Sequence, residues 1–387
     1  MVYNQGMFLW LIFYALPFFA WLATWPFFVK KAVQSRALRI AVWLALGVCF
    51  AKFAAFRAFG GSAFLPLLPG AVVRIWSIAY SFAMLLAAFS MLFASLERLA
   101  KILRPHLKSE RATAAIAAAG ALAATASGHG EAWRIPRTVK RELSLSLLPP
   151  AFDGLRIVHL SDLHISSAAP RRRTEKIVEI VNSLDADVVA ITGDIVDAPV
   201  DEIEGDVAPL AGLKAKFGVF GCTGNHEFYV GYDVWREVFA KCGIAMLENS
   251  HRILERGDAH IAIGGIMDPQ GMAMRNPYGE AFSGPDARLA FASAPADAFK
   301  ILLAHRPVRL AKHAREGVRL QLSGHTHGGA MPGLATIIAN ANEGHVRGFY
   351  AEHGVLLFVH PGSGQWAGFP MRICNPQEIT LLVLRAG

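Results

Sequence analysis

The chain has 387 residues, enough for more than one domain; 53% are hydrophobic and only 18% are charged. Its net charge of +8 comes without a dense basic stripe interleaved with aromatics, which argues against a nucleic-acid partner. Four cysteines with no CxxC pair make neither a disulfide framework nor a zinc knuckle.

Apolar content is concentrated before residue 128. The first run, residues 6–29 (GMFLWLIFYALPFFAWLATWPFFV), is uncharged and longer than the about 20 residues needed to cross a bilayer. Its length, the lack of a basic n-region and the Lys30–Lys31 that follow argue against a cleaved signal peptide. The second run, LRIAVWLALGVCFAKFAAF, is interrupted by Lys52, whose stem can snorkel toward the nearer interface. The third, IWSIAYSFAMLLAAFSMLFASL, covers residues 75–96, and an alanine-rich fourth candidate covers 112–128. That fourth segment is short and has a weak drive to insert; the alternative is a linker helix.

Loop charge predicts orientation. Lys30, Lys31, Arg36 and Arg39 follow the first run, and Arg98, Lys101, Arg104, Lys108 and Arg111 follow the third, opposed only by Glu97 and Glu110. Positive loops stay in the cytoplasm, which puts the N-terminus outside. With four spans the C-terminal domain emerges on the extracytoplasmic, periplasmic side; with three it is cytoplasmic. The expected organisation is a transmembrane helical region over 1–128, a linker over 129–153 with prolines at 136, 149 and 150, and a catalytic domain over 154–387. Of the four cysteines, Cys49 lies in an apolar run. Cys222, Cys242 and Cys374 read as buried free thiols, with a Cys222–Cys242 bridge as the alternative in an oxidising compartment.

From Arg156 onward one pattern repeats: a short β-branched apolar run ends in metal-ligand residue types. LRIVHL precedes Ser161-Asp162-Leu163-His164, ADVVAIT precedes Gly193-Asp194-Ile195-Val196-Asp197, and FGVFGCT precedes Gly224-Asn225-His226-Glu227. FKILLA precedes His305-Arg306-Pro307, and VRLQLS precedes Gly324-His325-Thr326-His327-Gly328-Gly329. Such runs suit strands buried on both faces. Between the first two, Ile177, Ile180, Val181 and Leu184 fall at helical intervals, giving a β–α–β unit. Ligand groups at the carboxyl ends of α/β strands gather at one rim.

Carboxylate, imidazole and amide oxygen suit Mn²⁺, Fe or Zn²⁺ rather than a thiolate-loving ion. D-x-H and H-x-H have period-two spacing, which in an extended segment sends both side chains to one side. A pair of ions needs a shared ligand, and the first aspartate of GD-x-x-D is the natural bridge. Any one of these motifs arises readily by chance; all five, in order, each ending a predicted strand, do not.

In that order the motifs resemble the calcineurin-like metallophosphoesterase superfamily over about residues 154–386. The L-S-D-L-H and L-S-G-H-T-H-G-G forms, behind a membrane-spanning start, resemble its bacterial membrane-associated branch, which includes phosphodiesterases and UDP-diacylglucosamine hydrolases. The resemblance implies two facing β-sheets flanked by helices and a two-metal phosphoesterase at the bacterial inner membrane. It implies that Asp162, His164 and His327 hold one metal, that Asn225, His305 and His325 hold the other, and that Asp194 bridges them. His226 would bind no metal and would instead stabilise charge on the scissile phosphate or protonate the leaving oxygen. Two divalent ions are the expected cofactors, Mn²⁺ ahead of Fe and Zn²⁺. The expected partners are the lipid bilayer and a phosphodiester or pyrophosphate substrate, with a lipid-linked one favoured by the anchor. The contrasting reading is a catalytically silent metal-binding module of the same fold; its signature, a lost ligand, is missing.

Other residues carry two readings each. Asp197 orients a ligand histidine or caps the next helix, and Glu227 supports the site from behind or is solvated. Arg306 touches phosphate or forms a loop salt bridge. Arg171–Arg173 binds anionic lipid or starts a solvated helix. Ala330 stands where relatives often carry a polar residue. Apart from Lys52, and Arg39 at the edge of the second run, the spans hold no Asp, Glu, Lys or Arg, which argues against a transport pathway.

Overall fold

The computed structural model describes residues 10–59, 68–104, 109–169 and 171–387. Residues 6–9 of the expected first span and Lys108 lie outside the described residues. The chain divides into two compact units: Met1–Glu131 with Ala367–Met371, and Ala132–Trp366 with Arg372–Gly387.

The first unit is helical. Helix α1 (Leu11–Ala32) and helix α4 (Gly70–Leu103) are each long and apolar enough to cross a membrane. Helices α2 (Arg36–Phe50) and α3 (Lys52–Ala58) meet at a 58° bend and make a third span if they are counted as one. Helix α5 (Glu110–Ala132) contains the fourth candidate but is not among these, because alanine contributes little apolar surface. Lys52 does not snorkel. It is 0% exposed, and its ammonium lies 4.7 Å from the Phe53 ring and 5.3 Å from those of Phe56 and Tyr80. It donates to the Gly368 carbonyl, and Ser77 Oγ donates to Ala367 O at 2.9 Å. A buried ammonium needs an acceptor, and here the acceptor lies 316 residues away in sequence, beyond the reach of a local reading.

The second unit contains two six-stranded sheets. All five motif-bearing runs are strands: β2 (Arg156–Leu160), β3 (Val188–Thr192), β4 (Gly218–Cys222), β8 (Phe299–Leu303) and β9 (Val318–Ser323). The others are β1 (Arg137–Leu145), β5 (Ile244–Met246), β6 (Ser250–Arg256) and β7 (Ala259–Gly265), then β10 (Gly348–Glu352), β11 (Val355–Val359) and β12 (Glu378–Ala386). One sheet has the order β1-β12-β2-β3-β4-β5 and the other β10-β11-β9-β8-β7-β6. β2, β3 and β4 are parallel neighbours in the first, and β8 and β9 in the second. Three motifs therefore end strands of one sheet and two end strands of its partner. The core between them takes Ile157, Val188 and Phe220 from the first sheet and Ile263, Ile301 and Leu322 from the second. Helix α6 (Arg171–Ser183) crosses from β2 to β3 and buries Ile177, Val178 and Val181, so these strands are covered on their other face as well.

Residues 129–153 are not all free chain. Within them β1 pairs in parallel with β12, a partner supplied by the far end of the sequence. Cys222 and Cys242 are buried and unbridged, whereas Cys374 is exposed rather than buried, in a loop where its φ is +57°.

Candidate metal centre

The loops that follow the five strands bring the predicted residues together in two groups. Asp162, His164 and His327 form one, and Asp194, His305 and His325 the other, with the ligand atoms of each within 4.8 Å of one another. Asp194 lies between the groups: its Oδ2 is 3.8 Å from His164 Nε2 and 3.2 Å from His305 Nε2. A third grouping, His164, Asp194 and His226, meets the same distance criterion.

The convergence does not come from extended backbone, as the period-two spacing suggests. Asp162, His164, Asp194, His325 and His327 all have positive φ, between +47° and +70°. Left-handed conformations are uncommon and costly for such residues, and they concentrate at functional sites where the surroundings enforce them. Here they turn each ligand back over the end of its strand. Glycines make the close approach feasible. A Cβ on Gly224 would lie 2.1 Å from Asp194 Oδ1, and one on Gly324 would lie 2.3 Å from Asp162 Oδ2.

The donor set fits a cation at each group. His305 Nδ1 is 2.7 Å from the Thr192 carbonyl, which can only accept, so the Nδ1 proton is committed there. Neutral His305 then presents a lone pair at Nε2 toward Asp194 Oδ2 and, at 3.1 Å, toward His325 Nδ1. Asn225 Oδ1 is buried with no hydrogen-bond donor. Acceptors facing acceptors are unfavourable unless a cation lies between them. In the other group the Nδ1 proton of His164 goes to Asp197 Oδ1 at 2.8 Å. His164 Nε2 is then left 3.0 Å from His327 Nε2 and 4.0 Å from Asp162 Oδ1.

Charge coupling inside this buried cluster is strong. Burial opposes a charged His305, yet Asp194 and Asp162 hold its pKa up to about 10. Burial would raise Asp194, but His305 and His226 hold it well below the usual carboxylate range. Asp162 is raised by burial and by Asp194. His325 is lowered by burial and Arg306, and His327 by burial and His164. A metal at His305 Nε2 would therefore compete with a proton for that nitrogen.

The structure decides the residues with two readings. Asp197 does not cap a helix: its Oδ1 accepts from His164 Nδ1 and, at 2.7 Å, from His226 Nδ1, fixing both rings. Glu227 is fully buried and accepts from the backbone N–H of Asp194 (3.1 Å), Ile195 (2.6 Å) and Gly224 (2.6 Å). Burial and neighbouring Asp194 raise its pKa to about 7. Arg306 makes a two-pronged pair with Asp268, at 2.7 and 3.0 Å. Arg173 is buried and donates to the carbonyls of Arg134 (2.7 Å) and Ser363 (3.2 Å), so it does not reach outward for lipid. Arg171 pairs with Glu175 at 2.8 Å.

Glu227→Ala is expected to leave four buried N–H groups unpaired, that of Val196 at 3.4 Å among them, costing about 3 kcal/mol or more. At roughly 2–4 °C per kcal/mol for a domain of this size, the melting temperature of the full chain falls by about 6–12 °C. A wild-type melting curve would show that another group satisfies these donors.

Sequence reasoning missed several contributors. Arg372 is buried and its Nη2 lies 3.0 Å from His327 Nδ1, while Asn375 donates to the His327 carbonyl. The rings of Tyr229 and Trp366 lie 5.4 and 6.0 Å from that of His226. None sits among the metal-ligand positions of the strand-end motifs; the only local signal is an arginine within an otherwise apolar run, FPMRIC.

The profile of the calcineurin-like phosphoesterases matches residues 155–329. A "Transmembrane protein with metallophosphoesterase domain" from Danio rerio is 34% identical over 316 residues, covering 78% of this chain and 71% of its own. A protein of the same description from Bos taurus is 31% identical, covering 65% of this chain and 57% of its own. From Bacillus subtilis (strain 168), "Uncharacterized metallophosphoesterase YkuE" is 30% identical, covering 70% of this chain and 93% of its own. With these matches, a two-sheet fold and clustered His and Asp side chains at the strand ends, the chain belongs to the calcineurin-like phosphoesterase family, as a member with helices long and apolar enough to cross a membrane.

Proposed function

We propose that this chain is a membrane-anchored phosphoesterase with a two-metal centre, hydrolysing a phosphodiester or pyrophosphate bond in a substrate held at the bilayer. One observation carries the reading: two sets of lone-pair donors converge from strand ends of two sheets, and the Asp194 carboxylate lies 3.8 Å from a histidine of one and 3.2 Å from a histidine of the other. In this reading Asp162, His164 and His327 hold one ion and Asn225, His305 and His325 the other, with Asp194 between and Mn²⁺ preferred to Fe or Zn²⁺. Two bound divalent ions supply Lewis acidity and lower the pKa of water enough to provide hydroxide near neutral pH.

The chain's own residues do the rest. Asp197 holds His226 Nδ1, leaving Nε2 as the atom that meets the leaving oxygen. Burial opposes a charged His226, but Asp194 and Asp197 hold its pKa up to about 9, which favours carrying a proton for that oxygen. The chain is a multi-pass protein of a bacterial plasma membrane in this proposal. Its catalytic side depends on α5: extracytoplasmic if that helix crosses, cytoplasmic if it does not.

The test is hydrolysis by the detergent-purified full chain, with Mn²⁺ or with chelator, on bis-p-nitrophenyl phosphate and UDP-2,3-diacylglucosamine. Turnover that needs Mn²⁺ is expected, and the preferred substrate separates a lipid pathway from a general phosphodiesterase. Two bound metals without turnover on either substrate would favour the catalytically silent module.

A further inference from the structure

The segment between β11 and β12 lies against the half of the centre that contains Asp162, His164 and His327. Gly364 packs so tightly on the D-L-H motif that a Cβ on it would clash with the Leu163 carbonyl, and the Ser363 N–H donates to Ser161 O at 2.7 Å. Arg372 then closes the segment on itself. Its Nε donates to Gln365 Oε1 at 2.7 Å and its Nη2 to Gly364 O at 3.0 Å, while the same Nη2 lies 3.0 Å from His327 Nδ1. On the other side the Trp366 ring lies 6.0 Å from that of His226. Trp366 and Arg372 are thus the two feet of a loop standing on residues of the metal centre.

The bend of that loop, Ala367–Met371, belongs to the helical unit. Ser77 Oγ on α4 donates to Ala367 O at 2.9 Å, Lys52 at the start of α3 donates to Gly368 O, and the Phe369 ring lies 6.5 Å from that of Tyr80. Each contact named lies within one unit, and the loop passes from one to the other as peptide chain, at Trp366–Ala367 and Met371–Arg372. Lys52 is fully buried among Phe53, Phe56 and Tyr80. Burying an ammonium is costly even when it is paired, and an apolar side chain of similar volume often leaves a protein as stable or more so. What the ammonium adds is direction. A charged donor fixes one backbone carbonyl, whereas an apolar contact lets the bend slide.

We propose that Lys52 is a positioning residue for the metal centre, holding the bend of this loop so that Trp366 stays against His226 and Arg372 against His327. The inference rests on the two-metal phosphoesterase reading above. Gly368 is two residues past Trp366 and four before Arg372, so a bend that comes loose frees both feet. Groups that orient metal ligands from behind are worth about 10–100-fold in metal affinity or activity. The helical unit thereby contributes to the reaction through one side chain, besides any part it plays as an anchor.

The test uses the detergent-purified full chain carrying Cys49→Ser. Cys374, exposed two residues beyond Arg372, is then the accessible thiol, since Cys222 and Cys242 are buried. A nitroxide on Cys374 reports the mobility of the loop, and unlabelled protein gives Mn²⁺ affinity, melting temperature and turnover of bis-p-nitrophenyl phosphate. Lys52→Met is expected to keep or raise the melting temperature, to narrow the nitroxide line, and to lower kcat or Mn²⁺ affinity by about 10–100-fold. Ser77→Ala removes the second tie and leaves Lys52 in place; it is expected to shift the same readings by less, and it carries the test if Lys52→Met does not fold. An unchanged nitroxide line overturns the inference, as does a line that narrows while turnover and Mn²⁺ affinity stay at wild type. A fall in activity matched by a fall in melting temperature overturns it in favour of a purely structural Lys52. Wild-type protein without Mn²⁺-dependent turnover overturns the phosphoesterase reading instead, and line shape with Mn²⁺ affinity then decides the role of Lys52.

Discussion

Asp194→Ala is expected to empty both halves of the centre and take hydrolysis below detection. The carboxylate stands in reach of both groups: Oδ2 lies 3.8 Å from His164 Nε2 and 3.2 Å from His305 Nε2, while Oδ1 accepts the His226 N–H at 2.9 Å. Removing it takes away the negative charge that brings two cations close together, so the loss is not confined to one site. Metal analysis of the purified full chain should fall from two equivalents per chain toward none, with the far-ultraviolet circular dichroism unchanged. Asp194→Asn keeps the acceptor for the His226 N–H but not the charge, and should fail in the same way. Two equivalents of metal retained by Asp194→Ala would show that the carboxylate is not shared.

His226→Ala has a different expected outcome: both metals stay and turnover falls by about 10²–10⁴-fold, the usual contribution of a general acid or base. The proposal gives this ring a proton to carry rather than an ion to hold. Both His164 and His226 reach Asp197 Oδ1 through Nδ1, and His226 Nε2 lies 3.9 Å from Asp194 Oδ2, much as His164 Nε2 does at 3.8 Å, so metal content is the readout that tells an acid from a ligand. The same measurement of metal content decides the matter. If His226→Ala loses an equivalent of metal, the His164–Asp194–His226 grouping is the true ligand set and another residue must serve as the acid.

Both variants alter residues that local sequence patterns single out, and the contrast with the less legible ones has a physical origin. A short β-branched run followed by Asp, Asn or His is a local signal, since strand propensity and side-chain chemistry both belong to a few consecutive residues. All five such runs are strands, and the residues that follow them meet. The β–α–β unit around Ile177 and Val181 is readable for the same reason, because its periodicity lies within one helix.

Local patterns do not carry nonlocal partners. Lys52 reads as a snorkelling residue because its acceptor, Gly368, lies 316 positions downstream. Residues 137–145 read as linker because their hydrogen bonds go to β12, the last strand of the chain. The division of the motifs between two sheets, in place of one rim, follows from strand pairing and from a core that joins both inner faces.

By itself the sequence determined which side chains can bind metal, that they end strands, and that a stretch of apolar helices precedes them. Tertiary structure alone decided how those side chains are held. Asp197 orients His164 across 33 residues, Arg372 reaches His327 across 45, and Glu227 gathers the backbone N–H groups of the Asp194 loop. Left-handed backbone at five of the predicted ligands likewise has no signature in residue order. The reason is common to all of them: residue type and spacing are properties of the chain, whereas an acceptor for a buried donor, a strained φ or a covered face exists only once distant segments have packed.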